Sequence, residues 1–301
     1  MTFLASLDPA VHDCAHAAVD VVLEARATTL DGFSIGRVLP SARRRMVGPF
    51  IFFDHMGPAA FAPGEGFDVP PHPHINLATV TYLFEGEIFH RDTLGSAQSI
   101  QPGAINWMNA GRGIAHSERT PIERRVTGDA LHGVQLWVAL PDDEEESAPS
   151  FDHYPAESLP EFNVDGVPLR LLAGSGWGRT SPVKTKSPLI YADVQLRDGD
   201  RVPLPDEHAE LALYIVEGEL ACGETFGARK MIVLNGAIDL HATTPTRVML
   251  LGGAPVGKRH IWWNFVSSSR ERIEQAKREW LEMRYGLIPG DERELVPLPA
   301  R

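Results

Sequence analysis

The chain has 301 residues, 43% hydrophobic and 23% charged, with a net charge of −12 at pH 7. That length suits two domains of about 150 residues better than one small one. The acidic balance argues against a large phosphate-binding surface and so against direct nucleic-acid contact, and only two cysteines, Cys14 and Cys222, rule out a disulfide framework or a thiolate zinc finger. The opening MTFLASLDPA has no basic segment leading into an apolar run, so no signal peptide is expected. No stretch approaches eighteen uninterrupted apolar residues, so no membrane span is expected and a cytoplasmic protein is the default.

Along the chain, twenty-seven Gly and twenty-four Pro punctuate short apolar runs, the rhythm of β-sandwiches or barrels. Asp8-Pro9 opens a predicted short helix through Ala18, on which His12 and His16 share a face with nothing to complete a site. His55 and Met56 read as buried loop anchors. Pro70-Pro71-His72-Pro73-His74 is stiff and extended; proline has no N–H, so the segment belongs at a sheet edge or a strand entrance. Strands are predicted at 78–84, 133–140, 168–172, 189–196, 211–216, 230–234 and 247–251. Trp107 and Met108 should line the first barrel near its pocket. Ala110-Gly111-Arg112-Gly113 turns the chain and delivers His116-Ser117-Glu118 to another strand.

Residues 141–149, five consecutive acids between prolines with Ser-Ala before the second, read as an exposed linker. The expected organisation is therefore a first domain at 1–141, a linker at 142–149 and a second domain at 150–301. The halves also repeat: Tyr82-Leu83-Phe84-Glu85-Gly86-Glu87 recurs 132 residues later as Tyr214-Ile215-Val216-Glu217-Gly218-Glu219. In each copy a strand ends at Glu-Gly, where glycine tolerates positive φ. The final element is a helix with a capping box of Ser268 and Glu271. Ile273, Ala276, Trp280, Leu281 and Arg284 follow at helical spacing, and Gly286 and Pro289 stop it.

Two i, i+2 pairs carry the chemistry. In a strand, side chains two apart share a face, so His72 with His74 and His116 with Glu118 on neighbouring strands would converge on one point. Imidazoles with one carboxylate suit Fe(II), Ni, Cu or Zn rather than Mg or Ca. Four protein ligands on an octahedral ion leave two positions open for chemistry or reversible binding. The second half offers no counterpart: the 132-residue shift lands on Leu204 and Asp206, and His208, Glu210 and His241 read as rim residues. No nucleotide-binding or serine-hydrolase motif is present.

Phe53-Asp54-His55-Met56-Gly57-Pro58, His72-Pro73-His74, Thr79 through Gly86, His90-Arg91-Asp92, Gly95, and Trp107-Met108 with Ala110 through Glu118 closely resemble the pirin family of bicupins, over about residues 20–285. The resemblance implies an all-β fold of two tandem jelly-roll cupin barrels with a C-terminal helix. It also implies one metal, in the N-terminal barrel only, held by His72, His74, His116 and Glu118. Fe(II) is the first candidate, with Ni, Cu, Zn or Mn as alternatives. The implied activity is quercetinase-type cleavage of a flavonol by O2, with Glu118 doubling as the base for the flavonol hydroxyl. The alternative is a metal- or redox-sensing protein acting as a transcriptional or metabolic cofactor through a protein partner. A cupin isomerase is less supported, because no basic cluster flanks the site. One departure stands out: many pirins read His-Pro-His-Arg-Gly-Phe-Glu, whereas this chain has Ile75, Asn76, Leu77 and Ala78 after His74. Glu118 is then the remaining carboxylate ligand.

Overall fold

The structure, a computed structural model, describes residues 8–299 apart from 15, 31–32 and 237. It contains two tandem cupin barrels. The first sets a seven-stranded sheet (in spatial order Ser150–Tyr154, Ile105–Asn109, Leu77–Glu85, Asp129–Ala139, Phe50–Phe61, Phe33–Leu39 and Arg26–Leu30) beside a four-stranded sheet of Asp68–His74, Ile114–Arg119, Ile88–Asp92 and Ala97–Ile100. The second is built on a nine-stranded sheet. Predicted strands at 189–196 and 230–234 match Leu189–Leu196 and Lys230–Leu234, the one at 133–140 overlaps Asp129–Ala139 and overruns it by Leu140, and the others fall within longer strands.

The apolar runs are continuous rather than alternating because both faces of these strands are covered. In Leu77–Glu85, Ala78, Val80 and Tyr82 join a core shared with Tyr191, Tyr214, Met231 and Leu251 of the second barrel. Leu83, of opposite parity, packs inside the first barrel with Ile88, Ile100 and Leu131. A strand buried on both faces reads as an unbroken hydrophobic stretch. The same parity divides Glu210–Glu217: Ala212, Tyr214 and Val216 face the shared core, while Leu213 and Ile215 fill the second barrel with Ile190, Val194, Ile232 and Leu250. That interior is packed with aliphatic side chains.

Both repeat turns have the left-handed glycine their sequence implies, Gly86 at φ 87° and Gly218 at φ 81°. A Cβ at Gly86 would lie 2.0 Å from the Ala130 carbonyl oxygen, so neither backbone nor space admits another residue. The two repeat tyrosines also do matching work across the barrel interface. The Tyr82 hydroxyl donates to Asp193 of the second barrel (2.9 Å), which is also bound by Arg247. Tyr214 shares a hydrogen bond with His55 Nδ1 of the first (2.8 Å), whose Nε2 meets His132 Nε2 at 2.8 Å.

Several expectations need correction. Residues 10–12 form a strand, not part of a helix, and pair with Val19–Glu24, which in turn pairs with Lys230–Leu234 in the second barrel's sheet. Ser150–Tyr154 crosses the other way and pairs with Ile105–Asn109. Each barrel therefore borrows a strand segment from the other half, a long-range exchange that local patterning cannot encode. His55 sits in a strand rather than a loop. The acidic segment is not wholly exposed. Glu145 is buried, accepts from Ser267 Oγ, Ser268 N and Ser268 Oγ, and pairs with Arg259 at 3.1 Å.

The C-terminal helix is Arg270–Leu281, with Ser269 rather than Ser268 as N-cap, its hydroxyl accepting from Arg272 N. Ser268 is claimed by Glu145, which moves the cap one residue on. The helix ends at Leu281, before Arg284, and its Ile273, Ala276 and Trp280 pack with Ile75 and Ala115 of the first barrel. A short helix at Ile122–Thr127 has no buried residue, so it carried no apolar periodicity to read. Among the described residues, no helix is long and apolar enough to cross a membrane.

The interface predicts an acid response. Burial first, then His132 and Arg229, push His55 down to about 3. The unfolded chain therefore takes up this proton near pH 6.5 and the folded chain only near 3. His55 supports the fold fully above pH 6.5, and this support is lost progressively as pH falls through the window to about 3, at up to about 1.4 kcal/mol per pH unit. Urea unfolding at pH 6 and pH 5 should show a shallower loss for His55→Gln than for the parent; equal slopes would remove His55 from the acid response.

Candidate metal centre

Asp68–His74 lies at the edge of the four-stranded sheet, where the Pro70, Pro71 and Pro73 rings leave no missing donor in a central ladder. Among the described residues its only partner in that sheet is Ile114–Arg119, with His116 opposite His72. The register slips between His116 and Glu118, so Glu118 faces Val69 rather than Pro70. Gly111, at φ 47°, makes the turn that feeds this strand; a Cβ there would lie 2.1 Å from the Ser147 carbonyl oxygen.

The three imidazoles converge. Their ligating atoms lie within 4.8 Å of one another and all three residues are buried. His72 Nδ1 donates to the Pro70 carbonyl (2.9 Å) and His74 Nδ1 to the Asn264 carbonyl (3.1 Å). Each such bond fixes the proton on Nδ1 and leaves the Nε2 lone pair free. His116 Nδ1 meets His90 Nδ1 at 3.4 Å, and His90 Nε2 meets Asp92 at 3.1 Å. With the proton of His90 directed to the carboxylate, His90 Nδ1 accepts from His116, and His116 Nε2 is again a free lone pair. That atom is buried and has no hydrogen-bond partner, a costly state that a metal ion would relieve.

Charge state agrees with this arrangement. Burial pushes His72 down to about 3, and burial with neighbouring imidazoles takes His74 and His116 well below the ordinary value. All three are neutral near pH 7, as coordination requires. Glu118 stands slightly apart, outside the tight group, but lines the same cavity. Gln135 Nε2 donates to both its oxygens (2.9 and 2.7 Å) and Thr81 Oγ1 to Oε1 (3.2 Å). Burial raises its pKa and these donors work against that rise. Oε2 receives only the Gln135 bond and keeps a lone pair for an ion. The donor set therefore fits a borderline divalent metal.

The cavity has a volume of about 160 Å³, with Trp137, Asn264 and Val296 in its wall. Trp137 stacks on Phe52 and meets the His74 ring edge-on, 5.2 Å between centroids. The buried Asn264 Nδ2 has no partner. Val296 belongs to the C-terminal tail, which is tied across this side of the barrel: Val296 N donates to the Pro71 carbonyl, Trp280 Nε1 to the Val296 carbonyl, and Arg119 grips Asp291 at 2.7 and 2.9 Å.

The structure thus brings His72, His74 and His116 together, and Glu118 lines the cavity that His72 and His74 share. Trp107 and Met108 do not reach it; they belong to the shared core and to a small cluster beside Phe151. Arg112 is exposed, and its carbonyl, not its guanidinium, is the group engaged, by Arg272. His208 bonds the Ser175 carbonyl and Glu210 binds Gly48 N and Arg44. Sequence reasoning missed Gln135 and Thr81, although a polar residue of inward parity within an apolar strand was a readable signal. Asn264 and Val296 come from the far end of the chain, and nothing local announced them.

Gln135→Leu keeps the volume and removes both bonds to Glu118. The expected result is a folded protein whose divalent-metal affinity is about 10–100-fold weaker, the usual effect of losing a group that orients a ligand. Competition against a chromogenic chelator measures it, and unchanged affinity would detach Glu118 from the ion.

Comparison with known proteins agrees with the geometry. The family described as Pirin matches residues 32–138, and the Pirin C-terminal cupin domain matches residues 191–286. A pirin-like protein of Caulobacter vibrioides is 49% identical over 288 residues, covering 93% of this chain and 99% of its own. Mouse Pirin is 30% identical, covering 81% and 85% respectively. A crystal structure of a quercetin 2,3-dioxygenase from Acinetobacter baumannii superposes with a TM-score of 0.85 at 36% identity, covering 93% of this chain and 95% of that one.

Proposed function

The chain belongs to the pirin family, and from that premise we propose that it is a metal-dependent dioxygenase of the quercetinase type, cleaving a flavonol-like aromatic with O2. His72, His74, His116 and Glu118 hold the ion, Fe(II) first among the candidates. The observation that carries this reading is the buried, partnerless His116 Nε2 facing two imidazoles whose Nδ1 protons are already committed. Similarity to the Acinetobacter baumannii dioxygenase supports the substrate class. When bound, the metal supplies Lewis acidity and an electronic link between an oxygen-bearing substrate and O2.

The chain's own residues do the rest. Glu118, its pKa raised by burial, takes the flavonol hydroxyl proton, and Gln135 and Thr81 keep its carboxylate aimed during that transfer. Trp137 provides a flat apolar wall, and Asn264 Nδ2 offers a donor to a substrate oxygen. A cavity of about 160 Å³ is below the roughly 300–1,000 Å³ that drug-sized ligands occupy, so a flavonol enters only when the tail around Val296 yields. The free thiols Cys14 and Cys222 suit a reducing cytoplasm.

The test combines elemental analysis of the purified protein with flavonol absorbance followed under air and under argon. The reading requires bound or restorable metal and O2-dependent loss of the flavonol band. Metal with no such loss would sink the dioxygenase, and a protein that binds no metal would sink the site itself.

A further inference from the structure

A second cavity, of about 480 Å³, lies between the C-terminal helix and the hairpin of His260–Trp262 and Phe265–Ser267. Its wall is basic: Arg45, Lys258, Arg259, His260, Arg270 and Lys277, against the single acid Glu274. Two of these cations are already neutralised, Arg259 by Asp142 and Glu145 and Lys277 by Glu274. Lys277 also sits 3.9 Å over the Trp262 ring. Among the described residues, Arg45, Lys258 and Arg270 pair with no carboxylate, and Glu271 is turned to Ser269 Oγ. All three line the same cavity, and Arg270 Nε donates to His260 Nδ1 in its wall (3.4 Å). Arg270 also stands at the first position of a twelve-residue helix, where the macrodipole disfavours a cation. A chain with twelve surplus negative charges therefore places three cations without ion-pair partners around one concave site.

We propose that this cavity binds a small phosphate-bearing metabolite, with the guanidinium groups of Arg45 and Arg270 and the ammonium of Lys258 closing on the phosphate. Two guanidinium forks suit the oxygens of a phosphate. A dianion balances most of three positive charges, where a monocarboxylate would balance one. The Trp262 ring is already covered by Lys277 and stacks near Phe265, so recognition falls on the anionic group rather than on an aromatic base. The site is separate from the metal cavity, with which it shares no lining residue, and it stands whether or not the chain is a dioxygenase.

Isothermal titration calorimetry of the full chain tests it, with phenyl phosphate as probe and benzoate as the carboxylate control, at 50 and 200 mM NaCl. Phenyl phosphate should bind with a saturable 1:1 isotherm that weakens with salt, and benzoate at least tenfold more weakly. The Lys258→Gln/Arg270→Gln protein should bind phenyl phosphate at least tenfold more weakly. Because the cations repel one another, its melting temperature without ligand should equal or exceed the parent's. No saturable binding at millimolar phenyl phosphate, equal binding by the double variant, or a lowered melting temperature in that variant would each overturn the proposal. Equal affinity for benzoate would overturn the phosphate assignment.

Discussion

A His116→Ala protein is expected to fold and to lose divalent-metal affinity by more than about 100-fold, beyond the upper end of what an orienting group alone contributes. His116 is the imidazole with nothing else to do. Its Nδ1 leans on His90 at 3.4 Å, and its Nε2, buried without a partner, pays a desolvation cost in the metal-free protein. Truncation removes that unsatisfied atom while opening a cavity, two effects on stability of opposite sign. The metal-free variant should therefore unfold within about 2 kcal/mol of the metal-free parent. The barrel does not depend on this side chain; its walls are the sheet ladders and the packing of Leu83, Ile88, Ile100 and Leu131. Chelator competition reads the affinity, and urea unfolding of both metal-free proteins reads the fold. A variant that still binds metal within tenfold would remove His116 from the ligand set. A variant that fails to fold would recast the histidines as a structural polar core.

What could be read in advance follows from the range of the interactions. Strand parity is local, so His72 with His74 and His116 with Glu118 could be placed on one face from spacing alone, and the prolines forecast the sheet edge. The repeat at Tyr82 and Tyr214 was visible, but its purpose was not. Each tyrosine reaches into the opposite barrel, to Asp193 and to His55, and such a contact leaves no trace in a neighbouring residue. The same limit hid the exchanged strands Val19–Glu24 and Ser150–Tyr154, and the docking of the C-terminal helix on Ile75 and Ala115. The departure at Ile75 and Asn76 is also explained only in three dimensions. Ile75 bridges to Phe265 in the hairpin that carries Asn264, and Asn76 adopts φ 57°, a left-handed conformation that asparagine tolerates. Ile75 connects the first barrel to its C-terminal cover, and the Asn76 amide is taken up by the Glu145 carbonyl and the Glu146 carboxylate.

The interface itself carries the largest expected effect on stability. Asp193 is 2% exposed and accepts from Tyr82 and from both Nε and a terminal nitrogen of Arg247, whose guanidinium also lies 4.1 Å over the Phe84 ring. Asp193→Ala leaves a largely buried cation and a buried phenol with no acceptor. Breaking one side of a buried ion pair costs about 3–5 kcal/mol, against a total of roughly 5–15 kcal/mol for a domain. Asp193→Asn keeps an acceptor for Tyr82 and should lose less, about 1.5–3 kcal/mol. A combined Asp193→Leu/Arg247→Met replacement removes both charges and should recover most of the loss, because an apolar pair of similar volume is nearly neutral at such sites. Urea unfolding of the three variants closes the cycle. If Asp193→Ala costs under about 1 kcal/mol, the Tyr82–Asp193–Arg247 cluster is not what holds the barrels together. If the double replacement is as unstable as Asp193→Ala, packing rather than the stranded charge sets the loss. The strand concerned presents Tyr82 outward to this pair and Thr81 inward to Glu118. A tilt of Leu77–Glu85 in the Asp193→Ala protein should therefore appear also as weaker metal binding, reversed in the double replacement.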